Sequence, residues 1–127
     1  MTCEEQIKEM LESAMENVAQ GNKSPADKKE YIEGILCVQA PAWDVDFIHP
    51  QAKRYAQVQL SWGGPADGFL VEFDEGAKIV QIRYYFQDWW DYAERVLSEG
   101  ETKAVSKLLR TYVLKEMRSL QDFEIAC

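Results

Sequence analysis

One stretch, residues 79–92 (IVQIRYYFQDWWDY), places the strongest constraint on what this chain can fold into. It holds six of the fifteen aromatic residues, and its first half alternates between apolar and polar side chains. An alternation with a period of two is typical of a β-strand that is buried on one face. The apolar face of this strand consists of Val80, Ile82, Tyr84 and Phe86. We therefore expect a central strand here, with that face against the core and the last helix of the chain.

Two further strands are expected immediately before this one. Residues 55–62 and 69–74 also alternate, and the first of these segments places Ala56, Val58, Leu60 and Trp62 on one face. A segment rich in glycine and proline, residues 63–68, separates them and has strong turn propensity. The DEG sequence at 74–76 is short enough for a second hairpin. The pattern predicts a three-stranded antiparallel meander.

Helical patterns lie on both sides of the meander. Thr2 and Glu5 have the spacing of a capping box, which marks a helix start. The apolar residues that follow recur with the helical period and give one stripe: Ile7, Met10, Leu11, Ala14, Met15 and Val18. A second helix is expected from Ser24-Pro25 until Pro41 stops it, with Ile35 and Leu36 on its buried side.

The C-terminal third predicts one more helix. Ser98 and Glu101 form another possible capping box, and the apolar periodicity behind them continues to near Met117. Residues 88–97 are compatible with either a helix or a bulged continuation of the third strand, and 121–127 with a tail or a short edge strand. The predicted fold is a single α+β domain, residues 1–127. It has two N-terminal helices, the meander, and a long C-terminal helix packed on the sheet.

The charge of the chain restricts its partners. The formal net charge of −8 and the pI near 4.7 argue against binding to nucleic acid or an anionic membrane, and favour a basic protein partner. From Asp67 to Glu101 there are nine acids and three bases, so the acidic character is concentrated on the meander and the segment after it. The sequence has no apolar run of membrane-spanning length and no secretory pattern. Its three cysteines are odd in number and lack metal-type spacing, so reduced thiols and a cytoplasmic location are expected.

Two sets of residues are candidates for catalysis or metal binding. Asp44, Asp46 and His49 could contact a divalent cation, but no second histidine, flanking glutamate or glycine-rich turn completes a coordination sphere. Asp88 and Asp91 could act as a carboxylate pair, but their spacing does not fix a separation between the carboxyl groups. We therefore expect no catalytic residue, no metal and no cofactor.

Trp89 and Trp90, between these aspartates, have two interpretations. They could form a lid that closes the end of the sheet core, or an exposed aromatic anchor for a partner. Tryptophan and tyrosine beside acids are typical of binding hot spots. On the second interpretation the partner-binding residues lie in the acidic, aromatic part of the meander: Glu72, Glu75, Asp88, Trp89, Trp90 and Asp91.

Four short motifs carry a resemblance to a known class of proteins. They are SWGGP at 61–65, EFDEG at 72–76, YYF at 84–86 and DWWD at 88–91. Over roughly residues 55–97 the chain resembles small acidic proteins of phages and mobile elements, which pair a GGP hairpin with an aromatic strand. The resemblance implies antagonism of host defence, through binding to a nuclease or its nucleic-acid groove, and brings no catalytic residue with it.

The sequence therefore predicts a non-enzymatic inhibitor of a basic, nucleic-acid-handling protein, such as an anti-CRISPR or anti-restriction protein. An immunity protein against a nuclease toxin fits the same composition, because it too must cover a basic site. A third hypothesis is an oligomer-forming accessory protein, in which Trp89 and Trp90 lie at a homodimer interface. An enzyme that uses Asp88 and Asp91, or a metal at Asp44, Asp46 and His49, is the remaining class.

Overall fold

The computed structural model describes residues 2–39, 55–62, 65–74, 78–119 and 125–126. It is an α+β protein whose described elements share one hydrophobic core. The helices are α1 (Cys3–Gly21), α2 (Pro25–Glu33) and α3 (Glu99–Ser119). The strands are β1 (Cys37–Gln39), β2 (Tyr55–Ser61), β3 (Pro65–Phe73), β4 (Ile79–Asp88), β5 (Asp91–Val96) and β6 (Ile125–Ala126).

The strands form one antiparallel sheet with the order β5-β4-β3-β2-β1-β6. The predicted meander is present as β2, β3 and β4, but the sheet is larger than three strands. It has five strands and a two-residue β6, which confirms the edge strand considered for the C-terminal segment. Residues 88–97 contain a separate strand, β5, that folds back on β4 after a two-residue turn.

β1 is also absent from the predicted meander, and it forms where α2 ends earlier than predicted. Gly34 caps this helix directly after Glu33, so the helix does not continue to Pro41 as predicted. The freed chain pairs with β2, and Val38 lies opposite Val58. Leu36, which was expected on the buried side of the helix, is 47% exposed.

The local signals for the helices are confirmed. Thr2 and Glu5 form a complete capping box, and the apolar stripe of α1 is either buried or packed against the core. The Ser98 hydroxyl accepts from the Glu101 N–H at 3.2 Å, while the Glu101 carboxylate accepts from the Ser98 N–H at 2.8 Å. Such reciprocal bonds satisfy backbone donors that have no partner inside the helix.

The core lies between the helices and one face of the sheet. α1 contacts β4, β5 and both other helices, and α3 contacts β2 and β4. On β4 the core residues Ile82, Tyr84 and Phe86 are at most 2% exposed, as the alternation predicted. Val80 is the exception at 57% exposed, because the β3–β4 register shifts between Glu72 and Phe73.

The two described cysteines differ in their covalent state. Cys37 is disulfide-bonded, so the prediction of reduced thiols is wrong for this residue. Cys3 is a free, buried thiol.

Of the helices in the described part of the chain, none combines the length and apolar character needed to cross a membrane.

Candidate functional site

The turn between β4 and β5 presents two tryptophans to solvent. Asp88 and Asp91 lie opposite each other in the sheet register, so Trp89 and Trp90 alone form the connection. Trp89 is 76% exposed and Trp90 is 99% exposed. The prediction that these rings close the end of the core is therefore wrong, and the interpretation as an exposed aromatic pair agrees with the geometry.

Trp89 also has an unfavourable backbone conformation. Its φ is 55°, the one positive value at a non-glycine residue within the described ranges. An L-residue in the left-handed region brings Cβ close to the following carbonyl oxygen, which costs roughly 1–2 kcal/mol. Tight turns usually use glycine or asparagine at such a position. The chain therefore keeps a large aromatic residue where glycine would avoid this penalty.

A third tryptophan lies at the same end of the sheet. Pro65, the first residue of β3, pairs with Asp88, so the β2–β3 and β4–β5 connections share one edge. Trp62 directly follows β2 and is 70% exposed. Only β3 separates β2 from β4, a distance of about 10 Å across the sheet. We name Trp62, Trp89 and Trp90 together the tryptophan tip.

Contacts on the sheet face away from the helices hold the hairpin that carries this tip. The rings of Tyr85 and Tyr92 are stacked, with 6.3 Å between their centroids and 9° between their planes. Arg83 forms an ion pair with Glu94 at 2.7 Å across β4 and β5, and the Tyr92 hydroxyl donates to Glu94 at 3.0 Å. Such cross-strand pairs stabilise a hairpin and fix its register. The two exposed tryptophans therefore extend from an ordered support.

Asp91 attaches the hairpin to the start of α1. Its Oδ2 accepts from the Cys3 backbone N–H at 2.6 Å, and its Oδ1 accepts from the Tyr92 N–H at 3.0 Å. The first N–H groups of a helix lack partners inside the helix, so a carboxylate there satisfies a donor and interacts favourably with the helix dipole. Because both oxygens of Asp91 make backbone contacts, this residue holds the fold together and is poorly placed to act as an acid or base.

The surroundings of the neighbouring Cys3 thiol disfavour the thiolate form that a nucleophile needs. Burial, and then the negative charge of Asp91, raise the pKa of this thiol above its usual value. Reactive cysteines need the thiolate form, which a basic or polar surrounding favours. We therefore assign Cys3 to packing beneath the hairpin.

The start of α1 adds charged side chains to the base of the β4–β5 hairpin. Glu5 lies close enough to Asp91 for the two carboxylates to interact, and Glu4 forms an ion pair with Arg95 of β5 at 2.6 Å. Together with Asp88, these groups place four carboxylates and one guanidinium around the base of the hairpin. The β4–β5 hairpin is therefore aromatic at its turn and acidic at its base.

The structure does not bring all of the predicted partner-binding residues together. Asp88, Trp89, Trp90 and Asp91 share one turn, whereas Glu72 pairs with Gln81 near the other end of β3. Glu72 is seven positions along β3 from Pro65, or roughly 23 Å of strand. Glu72 is therefore not part of the tip.

Several other predicted residues lie outside the described residues. They are Glu75 and the three metal-site candidates Asp44, Asp46 and His49. Across the described ranges, no group of three or more His, Cys, Asp or Glu side chains is arranged to hold a metal ion.

Trp62 and Glu4 are the site residues that sequence reasoning missed. The alternation of β2 assigned Trp62 to the apolar face, but the register shifts between Gln59 and Ser61 and the strand ends before Trp62. The GGP sequence directly after Trp62 is the signal that marks it as a turn residue. Nothing local identifies Glu4, because its neighbour Arg95 is brought to it only by the fold.

No protein-family model matches the chain, and neither a curated protein nor a solved structure matches it significantly.

Proposed function

We propose that this chain is a small, acidic, non-enzymatic inhibitor that binds a basic, nucleic-acid-handling protein through the tryptophan tip. The observation that carries the proposal is the exposure of Trp89 and Trp90 on a turn where Trp89 has a positive φ. Unfavourable backbone conformations in folded proteins concentrate at functional sites. Since a nearly fully exposed indole contributes little to folding, contact with a partner is the better reason for tryptophan at these positions.

The chemistry of the tip fits a basic partner. Arginine and lysine side chains bind favourably over the face of an indole, and carboxylates at the base can pair with further cations. Sites that hold single-stranded nucleic acid combine basic grooves with surfaces on which bases stack. A rigid hairpin that offers aromatic rings above Asp88 and Asp91 has the shape and charge to occupy such a site.

The anti-CRISPR or anti-restriction role is the concrete form of this proposal. It is supported by the sequence resemblance to proteins of phages and mobile elements and by the net charge of −8. An immunity protein would use the same surface against a nuclease toxin. The identity of the bound nuclease, a host defence enzyme or a toxin, distinguishes the two.

The exposed tryptophans also favour a second candidate, self-association. Three indoles at one end of the sheet form an apolar surface that a second copy of the chain could cover in a symmetric dimer. Apolar association persists at high salt, whereas association led by charge is screened, with a Debye length of about 8 Å at physiological ionic strength. Sedimentation of the purified protein at low and high salt therefore separates the two candidates.

The direct test is affinity capture from a lysate of the native host with three forms of the tagged protein. The wild type should retain a basic nuclease or nucleic-acid-binding complex, less of it as salt rises. Trp90→Ala should weaken binding by at least about thirtyfold, the equivalent of a 2 kcal/mol hot spot. Val80→Ala is the matched control, because Val80 is also exposed but lies eight residues from Asp88 along β4.

Two results would contradict the proposal. One is capture of no nucleic-acid-handling protein by the wild type. The other is a captured partner that binds Trp90→Ala and Val80→Ala equally well.

A further inference from the structure

A cavity of about 610 Å³ lies between α1, α2 and the β2–β3 hairpin. Its volume is within the range of about 300–1,000 Å³ that is usual for small-molecule sites. Met10, Ala14 and Leu60 supply apolar wall, and Asp27 and Glu30 lie on the α2 side. The cavity includes no residue of the tryptophan tip, so the proposed function leaves it unexplained.

A buried carboxylate, Asp67, lines this cavity. Asp67 is 8% exposed and has no ion-pair partner among the described residues. It accepts one hydrogen bond from the Ser61 hydroxyl and one from the Tyr84 hydroxyl, each at 2.5 Å. Burying a carboxylate is unfavourable unless a cation or several hydrogen bonds compensate it. Two neutral hydroxyls compensate it only in part, since each oxygen of a carboxylate has room for a second donor.

The two hydroxyls nearest to this carboxylate do not complete its hydrogen bonding. Ser61 has given its only hydroxyl proton to Asp67, so its oxygen has only lone pairs left to offer a ligand. The Tyr31 hydroxyl oxygen is buried and makes no hydrogen bond within the described ranges. Burial, and then the negative charge of Asp67, raise the pKa of Tyr31 well above its usual value. The Tyr31 hydroxyl and the Asp67 carboxylate therefore interact electrostatically.

We propose that the cavity binds a small organic cation, whose ammonium or guanidinium group donates to Asp67 and whose aliphatic part lies along Met10 and Leu60. Ammonium and guanidinium groups are donors only, and they complement the acceptor positions of Asp67 that the Ser61 and Tyr84 hydroxyls leave unfilled. The described lining residues include three acids and no lysine, arginine or histidine, so the local charge also favours a cation. A bare metal ion fits less well, because it needs several oxygen ligands at 2.0–2.6 Å around one point.

The test is calorimetric titration of the intact protein with agmatine, which carries both cationic groups on an aliphatic chain. Nα-acetyl-arginine amide tests whether an arginine side chain of a partner is the natural source of the group, and 1,5-pentanediol is the neutral control. Wild type should bind at least one of the two cations and not the diol. Asp67→Asn should weaken cation binding by about tenfold or more, the loss expected for one charge-assisted hydrogen bond.

Control variants keep the result interpretable. Glu12→Gln removes the same charge from the exposed face of α1, outside the cavity, and should bind like wild type. Ser13 is exposed but lines the cavity, so Ser13→Trp should block binding without changing the core, even if Asp67→Asn fails to fold. Trp90→Ala should bind agmatine normally, which makes this test independent of the proposed inhibitor function.

The proposal is overturned if wild type binds neither cation, or if the diol binds as well as the cations. Unchanged binding by both Asp67→Asn and Ser13→Trp would also overturn it.

Discussion

The strain at Trp89 predicts that glycine and alanine have opposite effects at the two turn positions. Replacing Trp89 by either residue removes the same indole contacts, so the difference between the two variants reports only the backbone. Alanine at φ 55° should retain the left-handed penalty of roughly 1–2 kcal/mol, which glycine lacks. Glycine loses roughly 0.5–1 kcal/mol more in conformational entropy on folding. Trp89→Gly should therefore be more stable than Trp89→Ala by about 0.5–1 kcal/mol.

Trp90 is the internal control, because its φ is not positive. At position 90 the two variants should differ only in the conformational entropy that glycine loses on folding. Trp90→Ala should therefore be more stable than Trp90→Gly by about 0.5–1 kcal/mol. The glycine entropy is common to both positions, so the difference between the two comparisons measures the left-handed penalty alone. Urea unfolding of the four variants, with the slope of each transition compared, gives the free energies. If alanine is at least as stable as glycine at position 89, Trp89 is not strained and the argument from strain fails.

Three further predictions concern the core and the pH dependence of stability. Phe86→Ala should cost about 3–5 kcal/mol in urea unfolding because Phe86 is 2% exposed, whereas the exposed Val80→Ala should change stability by less than about 0.5 kcal/mol. Gly68→Ala should cost at least about 3 kcal/mol, because a Cβ there would lie 2.1 Å from the Val58 carbonyl oxygen; an unchanged urea midpoint would show that β2 and β3 are not this close. The pKa of Cys3 is raised in the folded state, so its stabilising contribution is complete below the unfolded-state pKa near 8.5 and is lost as pH rises through the folded value. Cys3→Ala should therefore flatten the fall in unfolding free energy just above that pH, and an unchanged slope would contradict the assignment.

The elements that could be predicted from the sequence are those fixed by neighbouring residues. The capping boxes at Thr2 and Ser98 and the apolar stripe of α1 depend on contacts three or four residues apart, which periodicity records directly. The alternation of β4 likewise predicted the burial of Ile82, Tyr84 and Phe86, because a strand with one buried face has a period of two.

The parts that could not be predicted depend on distant contacts or on atypical turn residues. β1 has three residues and depends on distant pairing, since Val38 lies opposite Val58, twenty positions away, on one side and Ala126 on the other. The local sequence does not distinguish β5 from a helix, because the turn before it has tryptophans where glycine or asparagine usually signals a hairpin. Val80 and Trp62 were placed on the wrong face because register shifts in the sheet interrupt the alternation near them.

The candidate site was predictable in composition but not in geometry. The DWWD motif marks the turn that carries the exposed tryptophans, yet their exposure depends on where β5 returns along β4. The bond between Asp91 and the Cys3 backbone joins residues 88 positions apart, so the structural role of Asp91 is invisible to a local pattern. For the same reason, charge reversal of Asp91 is a poor test of binding, since it would also detach α1, and Asp88 is the better position.

The central claim, that the tryptophan tip binds a basic, nucleic-acid-handling protein, is tested most directly by photo-crosslinking in living cells. A benzophenone amino acid is introduced at Trp90 in one form and at Val80 in the control, and the adducts are identified by mass spectrometry. We expect a discrete adduct from position 90 alone, to a basic nuclease or nucleic-acid-binding protein, and a weaker adduct when Asp88→Lys is added. The absence of an adduct at position 90, or an adduct only to a second copy of this chain, would contradict the claim.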